Sequence, residues 1–233
     1  MFQEDKDIAR VTRSRQQARE SYNRLSRWYD LVAGHSEKRY RDKGLRALDV
    51  QPGDRVLEVG YGTGQCLLAL AARVGDSGRV FGIDISDGML GVAVSRLSRA
   101  GLEDRVELIR GDATHMPYAD GGFDAVFMSF TLELFDTPEI PVVLKECRRV
   151  MKPGGRIAVV SMSACRAETI MMRLYMWAHR NFPGLVDCRP IFARKALAEA
   201  GFDIIDDELL TMWSLPVEVV LARKPVAGED EEG

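Results

Sequence analysis

The sequence is poor in the residues that build covalent or metal-held frameworks. Its four cysteines, Cys66, Cys147, Cys165 and Cys188, are scattered without a CxxC pair, which argues against a disulfide scaffold and a zinc knuckle. The three histidines, His35, His115 and His179, form no HxxxH or similar cluster, and no metal site is expected. No apolar stretch approaches the roughly 20 residues needed to cross a bilayer. The opening residues, MFQEDKDIARVTRSRQQ, lack an apolar signal region, so a cytoplasmic protein is expected. Net charge is only -3, which leaves no electrostatic footprint for wholesale nucleic-acid binding. A base-holding Asn-Pro-Pro-Tyr element and a Pro-Cys pair are missing as well.

What is present fits one α/β domain with extra helices: 233 residues, of which 46% are hydrophobic. Charge is uneven. Residues 10–46 are rich in Arg and Lys, whereas the segment 226–233 is mostly acidic and is expected to be a disordered tail. In residues 14–32, Ala18, Tyr22, Leu25, Tyr29 and Val32 recur at helical spacing, and a second helix is expected over roughly 36–48. Together, residues 1–49 read as an N-terminal helical cover.

The segment Arg55–Gly64, RVLEVGYGTG, carries the strongest functional signal. A short apolar strand ends at Glu58, Gly60, Gly62 and Gly64, and a helical run, 65–73, follows at once. Glycines let a backbone turn sharply and approach a ligand closely, so strand, turn and helix form a nucleotide cradle. The spacing breaks the dinucleotide pattern Gly-x-Gly-x-x-Gly, because residue 65 is Gln, and no Gly-Lys-Ser/Thr phosphate loop follows. An adenosine-type ligand without phosphate remains. Residues 50–161 then repeat strand and helix: strands 79–83, 106–109, 123–129 and 156–161, helices 89–100 (capped by Ser86, closed by Gly101) and up to Val150, with a turn at 152–155. The rhythm predicts a doubly wound, mostly parallel sheet. Residues 162–203 change to helices, 168–179 and 191–200. The segment 204–225 reads as an antiparallel edge hairpin split at Leu215-Pro216.

Ligands of such sheets lie beyond the carboxyl ends of the strands. Glu58 there can accept from an ammonium or orient the loop. Asp84, ending the second strand, is placed to receive both ribose hydroxyls, and Ile85 and Met89 to pack on ribose or adenine. Asp112 and Ala113 can read the adenine edge, and Ser129 can flank the ligand at the end of the fourth strand.

Five ordered segments, VLEVGYGTG at 56–64, GIDIS at 82–86, GDA at 111–113 with MPY at 116–118, FDAV at 123–126 and RVMKPGGR at 149–156, resemble the class I S-adenosylmethionine-dependent methyltransferases, particularly the ubiquinone/menaquinone biosynthesis branch. The resemblance implies S-adenosylmethionine as cofactor, S-adenosylhomocysteine as product, and a seven-stranded sheet. It implies ribose binding by Asp84, adenine recognition at Asp112–Ala113, and a methionine moiety near Glu58, Gly60 and Gly62. Tyr22 and Tyr29 match aromatic positions where a helix closes over the cofactor. Tyr61 stands where many relatives have a small residue; its ring either narrows the sulfonium side or leans on the first helix. MSFTLELF at 128–135 departs from the quinone enzymes, which have an Asn-Val element there. His179 is the first candidate general base, with capping or surface roles as its alternative, and Glu133 and Tyr175 are candidate substrate contacts. The expected acceptor is a small lipophilic or aromatic molecule lying under a Met/Trp-rich helix. A phospholipid amine at a membrane surface, with Arg10, Arg13, Arg15 and Arg19 beside anionic lipid, is the alternative, and a non-catalytic cofactor-binding scaffold is another. No nucleic-acid partner is expected, and the assembly is a monomer or homodimer.

Overall fold

The computed structural model describes residues 34–165, 170–181 and 188–226. Tyr22, Tyr29, the helix expected over 14–32, the four N-terminal arginines and the acidic tail from 227 onward lie outside the described residues. Seven strands form one sheet: β1 Arg55–Val59, β2 Arg79–Asp84, β3 Val106–Arg110, β4 Phe123–Ser129, β5 Met151–Met162, β6 Asp203–Met212 and β7 Leu215–Arg223. Among the described residues six α-helices surround it: α1 Gly34–Leu48, α2 Gln65–Val74, α3 Asp87–Ala100, α4 Ile140–Val150, α5 Ile170–Asn181 and α6 Ala193–Glu199.

The strand order is β3-β2-β1-β4-β5-β7-β6. The first five pair in parallel, and β7 runs antiparallel to both β5 and β6. The chain builds outward from β1 to β3 and then returns to lay β4 on the other side of β1. That reversal opens a crevice between the carboxyl ends of β1 and β4.

Buried apolar strands need cover on both faces. Leu48, Leu67, Leu70, Phe127 and Val160 belong to the core under α1, α2 and α3. Leu57, Val126, Leu144, Val159 and Leu197 belong to the core under α4 and α6. Each such side chain contributes about 1.5–3 kcal/mol on burial. Helix α1 comes close to the sheet because residue 44 is Gly: a Cβ there would stand 2.4 Å from Val160 Cγ2. The Tyr40 hydroxyl adds a hydrogen bond to the Thr211 carbonyl. Ser86 caps α3, accepting from the Met89 N–H at 3.1 Å, and Gly101 ends it in the left-handed conformation.

Two expectations are corrected. The hairpin turns at Trp213 and Ser214, whose φ angles are 50° and 65°, rather than at Leu215-Pro216. Two left-handed residues match the twist of the flanking strands, and Pro216 sits inside β7 with its carbonyl accepting from Ser163 N at 2.9 Å. Residues 152–155 are an irregularity within β5 and not a turn before it. Met151 pairs with Phe123 and Arg156 with Ala125, so the intervening residues loop out opposite Asp124. Lys152 there pairs with the Asp124 carboxylate at 2.5 Å.

Candidate functional site

The glycine turn after β1 is held from three sides. Gly60 N–H donates to the Ile83 carbonyl at 2.8 Å. Gly60 has φ 72°, and a Cβ on it would stand 2.3 Å from Thr131 Cγ2, so no larger residue fits between the ends of β1 and β4. At Gly62, φ is 50° and a Cβ would meet nothing within 4 Å, which is the open space a ligand backbone contact requires. Gly64 caps the start of α2 against Ala93. From α3, Arg96 Nη1 reaches the Thr63 carbonyl at 2.8 Å and its hydroxyl at 3.0 Å.

Asp84, at the tip of β2, binds the same turn. One carboxylate oxygen accepts Gly62 N–H at 2.9 Å and the other accepts Ser86 N–H at 2.9 Å. Burial pushes its carboxyl above the ordinary range, against the pull of the Ser86, Gly62 and Ile85 N–H groups. Gly111 N–H donates to the Asp84 carbonyl at 2.9 Å and so brings the end of β3 alongside. Asp112 Oδ1 accepts both the N–H and the hydroxyl of Thr114, at 2.9 and 2.8 Å, and Ala113 is buried next to it. Ile85 is half-buried, whereas Met89 is sealed in the core.

Glu58 points to the α1–α3 face and is only 3% exposed. Its Oε2 has no hydrogen-bond partner among the described residues. Burial raises its pKa well above the ordinary glutamate range; the Asp84 charge raises it further and Arg41 lowers it. Ser129 Oγ, on the neighbouring strand, is a second buried polar atom without a partner among the described residues. Two such orphans at the switch point of a parallel sheet are groups a polar ligand can satisfy.

The helix expected over 14–32 lies outside the described residues; among those described, Tyr61 packs toward β2 and β3. It is buried over Gly82, whose added Cβ would stand 2.7 Å from its ring, and its hydroxyl donates to the Ile109 carbonyl at 3.4 Å. On the acceptor side, Glu133 is fully buried, with Oε1 accepting Met162 N–H at 3.1 Å, so it ties the end of β4 to the end of β5 and does not line an open cleft. The Tyr175 hydroxyl donates to the Cys188 carbonyl at 2.7 Å. His179, one turn on, is 8% exposed. The Met/Trp-rich helix splits: Met172, Tyr175 and Met176 pack on the core, while Met171, Leu174 and Trp177 face solvent.

Sequence reasoning overlooked three arginines. Arg41 on α1, 9% exposed, donates to Glu37 Oε2 at 3.0 Å and to Gln65 Oε1 at 2.7 Å. The four-residue Glu37–Arg41 spacing in an expected helix was its available signal. Arg149 gathers the β3–β4 loop, donating to the Tyr118 and Met116 carbonyls at 2.7 and 2.9 Å. Arg189 is fully buried and donates to the Phe135 carbonyl at 2.6 Å; no local pattern marks it.

Residues 56–155 match the methyltransferase domain family. Over 146 residues the chain is 37% identical to the demethylmenaquinone methyltransferase of Bacillus mycoides, a match covering 61% of this chain and 60% of that protein. The chain thus spans about 60% of the length of the curated relatives it matches. In fold it is similar to the 4+2 cyclase SpnF, with TM-score 0.76, 22% identity, and 94% and 99% of the two chains covered. It is also similar to a geranyl diphosphate methyltransferase solved with GPP and sinefungin, at TM-score 0.67, 18% identity, and 81% and 78% coverage.

Proposed function

We propose that this chain, whose residues 56–155 match the methyltransferase domain family, is a class I S-adenosylmethionine-dependent methyltransferase acting on a small lipophilic or aromatic acceptor. The observation that carries the reading is the Asp84 carboxylate bridging Gly62 and Ser86 at the carboxyl tip of β2, beside the turn that follows β1. Each carboxylate oxygen has a second lone pair, so both can still accept a ribose hydroxyl. The residues present fit the cofactor: Gly62 leaves space along the turn, and Glu58 Oε2 and Ser129 Oγ are buried polar atoms awaiting partners. The sinefungin-bound methyltransferase neighbour and the demethylmenaquinone methyltransferase relatives support the same choice.

When bound, S-adenosylmethionine supplies an activated methyl group on a sulfonium. The protein's work is then placement more than acid–base chemistry. Asp84 holds the sugar, Asp112 and Ala113 flank the adenine, and Glu58 offers a carboxylate to the ammonium. Fixing the turn through Arg96 and Gly60 keeps donor and acceptor in line, which converts an intermolecular step into an effectively intramolecular one. A phenol or enol acceptor loses a proton, and His179, one turn after Tyr175 on α5, is the side chain for that role.

The test is radiolabelled methyl transfer from S-adenosylmethionine to three acceptor classes: demethylated quinols, soluble catechols, and phosphatidylethanolamine vesicles. The reading expects label in the first or second class. Transfer to the lipid amine alone replaces the acceptor assignment, and cofactor binding without transfer to any class leaves a binding scaffold. Among the described residues no helix is long and apolar enough to cross a membrane.

A further inference from the structure

Four large apolar side chains stay in solvent at one end of the molecule. On α5, Met171, Leu174 and Trp177 recur at three-residue steps, which sets them along one side of the helix. Trp213 stands in the β6–β7 turn, and the four are between 43% and 68% exposed. Both places lie past the carboxyl end of β5. The Tyr175 hydroxyl ties α5 to the Cys188 carbonyl at 2.7 Å, three residues before Ile191, which lies against Ser163. Val217 pairs with Met162, and the Pro216 carbonyl accepts Ser163 N–H at 2.9 Å, so the turn before them comes to the same end. The β1–β4 crevice opens on this edge of the sheet.

Cations border the apolar groups. Arg173 is exposed on α5, and residues 170–181 include no Asp or Glu. Arg39 is exposed on α1, next to Tyr40, whose hydroxyl donates to the Thr211 carbonyl two residues before Trp213. Neither arginine enters an ion pair among the described residues. The carboxylates of α1 and of the turn-side half of β6, Glu37, Asp42 and Glu208, are paired with Arg41, Lys38 and Lys43. A chain of net charge -3 thus presents an apolar and locally basic face beside its crevice.

We propose that this face docks on an anionic lipid surface, with Leu174, Trp177 and Trp213 entering the headgroup layer and Arg39 and Arg173 meeting lipid phosphates. Its purpose rests on the functional reading: the crevice then takes a lipophilic acceptor from the membrane without passing it through water. Tryptophan favours the membrane–water interface, and long arginine side chains reach the headgroups from beside it. A second copy of the chain fits less well. A large side chain presents about 150–250 Å² in full, so four at this exposure offer at most about 600 Å², below the about 800 Å² per partner of a stable interface. Among the described residues no helix is long and apolar enough to cross a membrane, so the contact is peripheral.

The test is flotation of the full chain with vesicles of phosphatidylglycerol and phosphatidylcholine in equal parts, and of phosphatidylcholine alone, at low and high salt. The wild type is expected to float with the anionic vesicles at low salt and to be released at high salt. Leu174→Ser combined with Trp213→Ser should bind about tenfold weaker or more, and Arg39→Gln combined with Arg173→Gln about 10- to 30-fold weaker at low salt. Each variant is checked for a cooperative thermal transition and for S-adenosylhomocysteine affinity, which should stay at the wild-type value. If the apolar variant does not fold, the arginine variant decides. A wild type that stays in the unbound fraction at low salt overturns the proposal, as does full binding by either folded variant. Wild-type dimers that the apolar variant converts to monomers, without vesicle binding, assign the face to a second copy and overturn it too. Loss of vesicle binding with S-adenosylhomocysteine binding intact leaves the methyltransferase reading standing. Vesicle binding by a wild type that takes no S-adenosylhomocysteine overturns that reading, and acceptor delivery with it, but not the lipid contact.

Discussion

Replacing Glu58 by Gln is expected to make the ligand-free protein more stable and the cofactor site weaker. Glu58 is a buried carboxylate with one oxygen lacking a partner, and burial is the largest cause of its raised pKa. Because the folded-state pKa lies above the unfolded one, the native protein holds this proton more firmly than the denatured chain does. The associated stability is present in full below the unfolded glutamate pKa and is lost as pH rises through the folded value. Gln has nearly the same shape and no charge to desolvate. Glu58→Gln should therefore unfold at a higher temperature than wild type near pH 8, with the difference shrinking as pH falls toward 4.5. The gain is about 1 kcal/mol or more, the low end of the cost of one unpaired buried polar group, or about 2–4 °C for a chain of this size. Arg41 opposes part of this gain, since its field favours the ionised carboxylate. Asp84 also titrates with a raised pKa, and because its charge is felt at Glu58 the difference curve reports the Glu58 proton together with its coupling to Asp84. Calorimetry on the same variant should show S-adenosylmethionine binding weakened about tenfold or more. Thermal scans across pH give the decisive readout. A pH-independent difference, or a wild type more stable than the variant at pH 8, refutes the reasoning.

Asp84→Ala should weaken cofactor binding and also lower the melting temperature, since it strands the Gly62 and Ser86 N–H groups; the cost is about 2–4 kcal/mol, read as a fall of roughly 5–15 °C. Gly60→Ala should cost about 2–4 kcal/mol in chemical denaturation, from left-handed strain plus the Thr131 contact at 2.3 Å, with binding reduced in proportion to the misplaced turn. Arg149→Ala should lower stability by about 1–2 kcal/mol in urea unfolding, because the Met116 and Tyr118 carbonyls lose their tie in a partly exposed setting. Binding of S-adenosylhomocysteine to that variant should stay within about threefold of wild type.

Much of the sheet was legible because its strands are short, apolar and punctuated. β1 and β4 fall on the residues their patterns predict, and Ser86 and Gly101 bound α3 as their cap chemistry requires. What the sequence hid was pairing at a distance. The looped residues 152–155 look like a turn because Pro-Gly-Gly is turn chemistry, yet β4 and Lys224 hold them inside a strand. Pro216 looks like a breaker, but the sheet tolerates it at a position where its missing N–H is not needed. The glycine turn and the strand-end carboxylates proposed for the cofactor side were visible because such residues announce themselves locally. The packing of Tyr61 on Gly82 was hidden because it depends on the space above a residue 21 positions on. Glu133 and Tyr175 were candidates by residue type alone, and only tertiary structure shows Glu133 Oε1 accepting from Met162 N–H and the Tyr175 hydroxyl donating to the Cys188 carbonyl. Arg189 acts across elements with no local pattern to mark it, whereas for Arg41 the Glu37 spacing was a sign within α1 and the Gln65 contact had none.

The central claim is that the β1–β4 crevice takes an adenosylated amino acid, with Asp84 on the sugar. Isothermal titration of S-adenosylhomocysteine into the folded wild type and into Asp84→Ala tests it most directly. The account predicts saturable one-to-one binding to the wild type and at least tenfold weaker binding to the variant. No heat of binding and no thermal shift in well-folded wild type, or equal affinity in the two proteins, contradicts it.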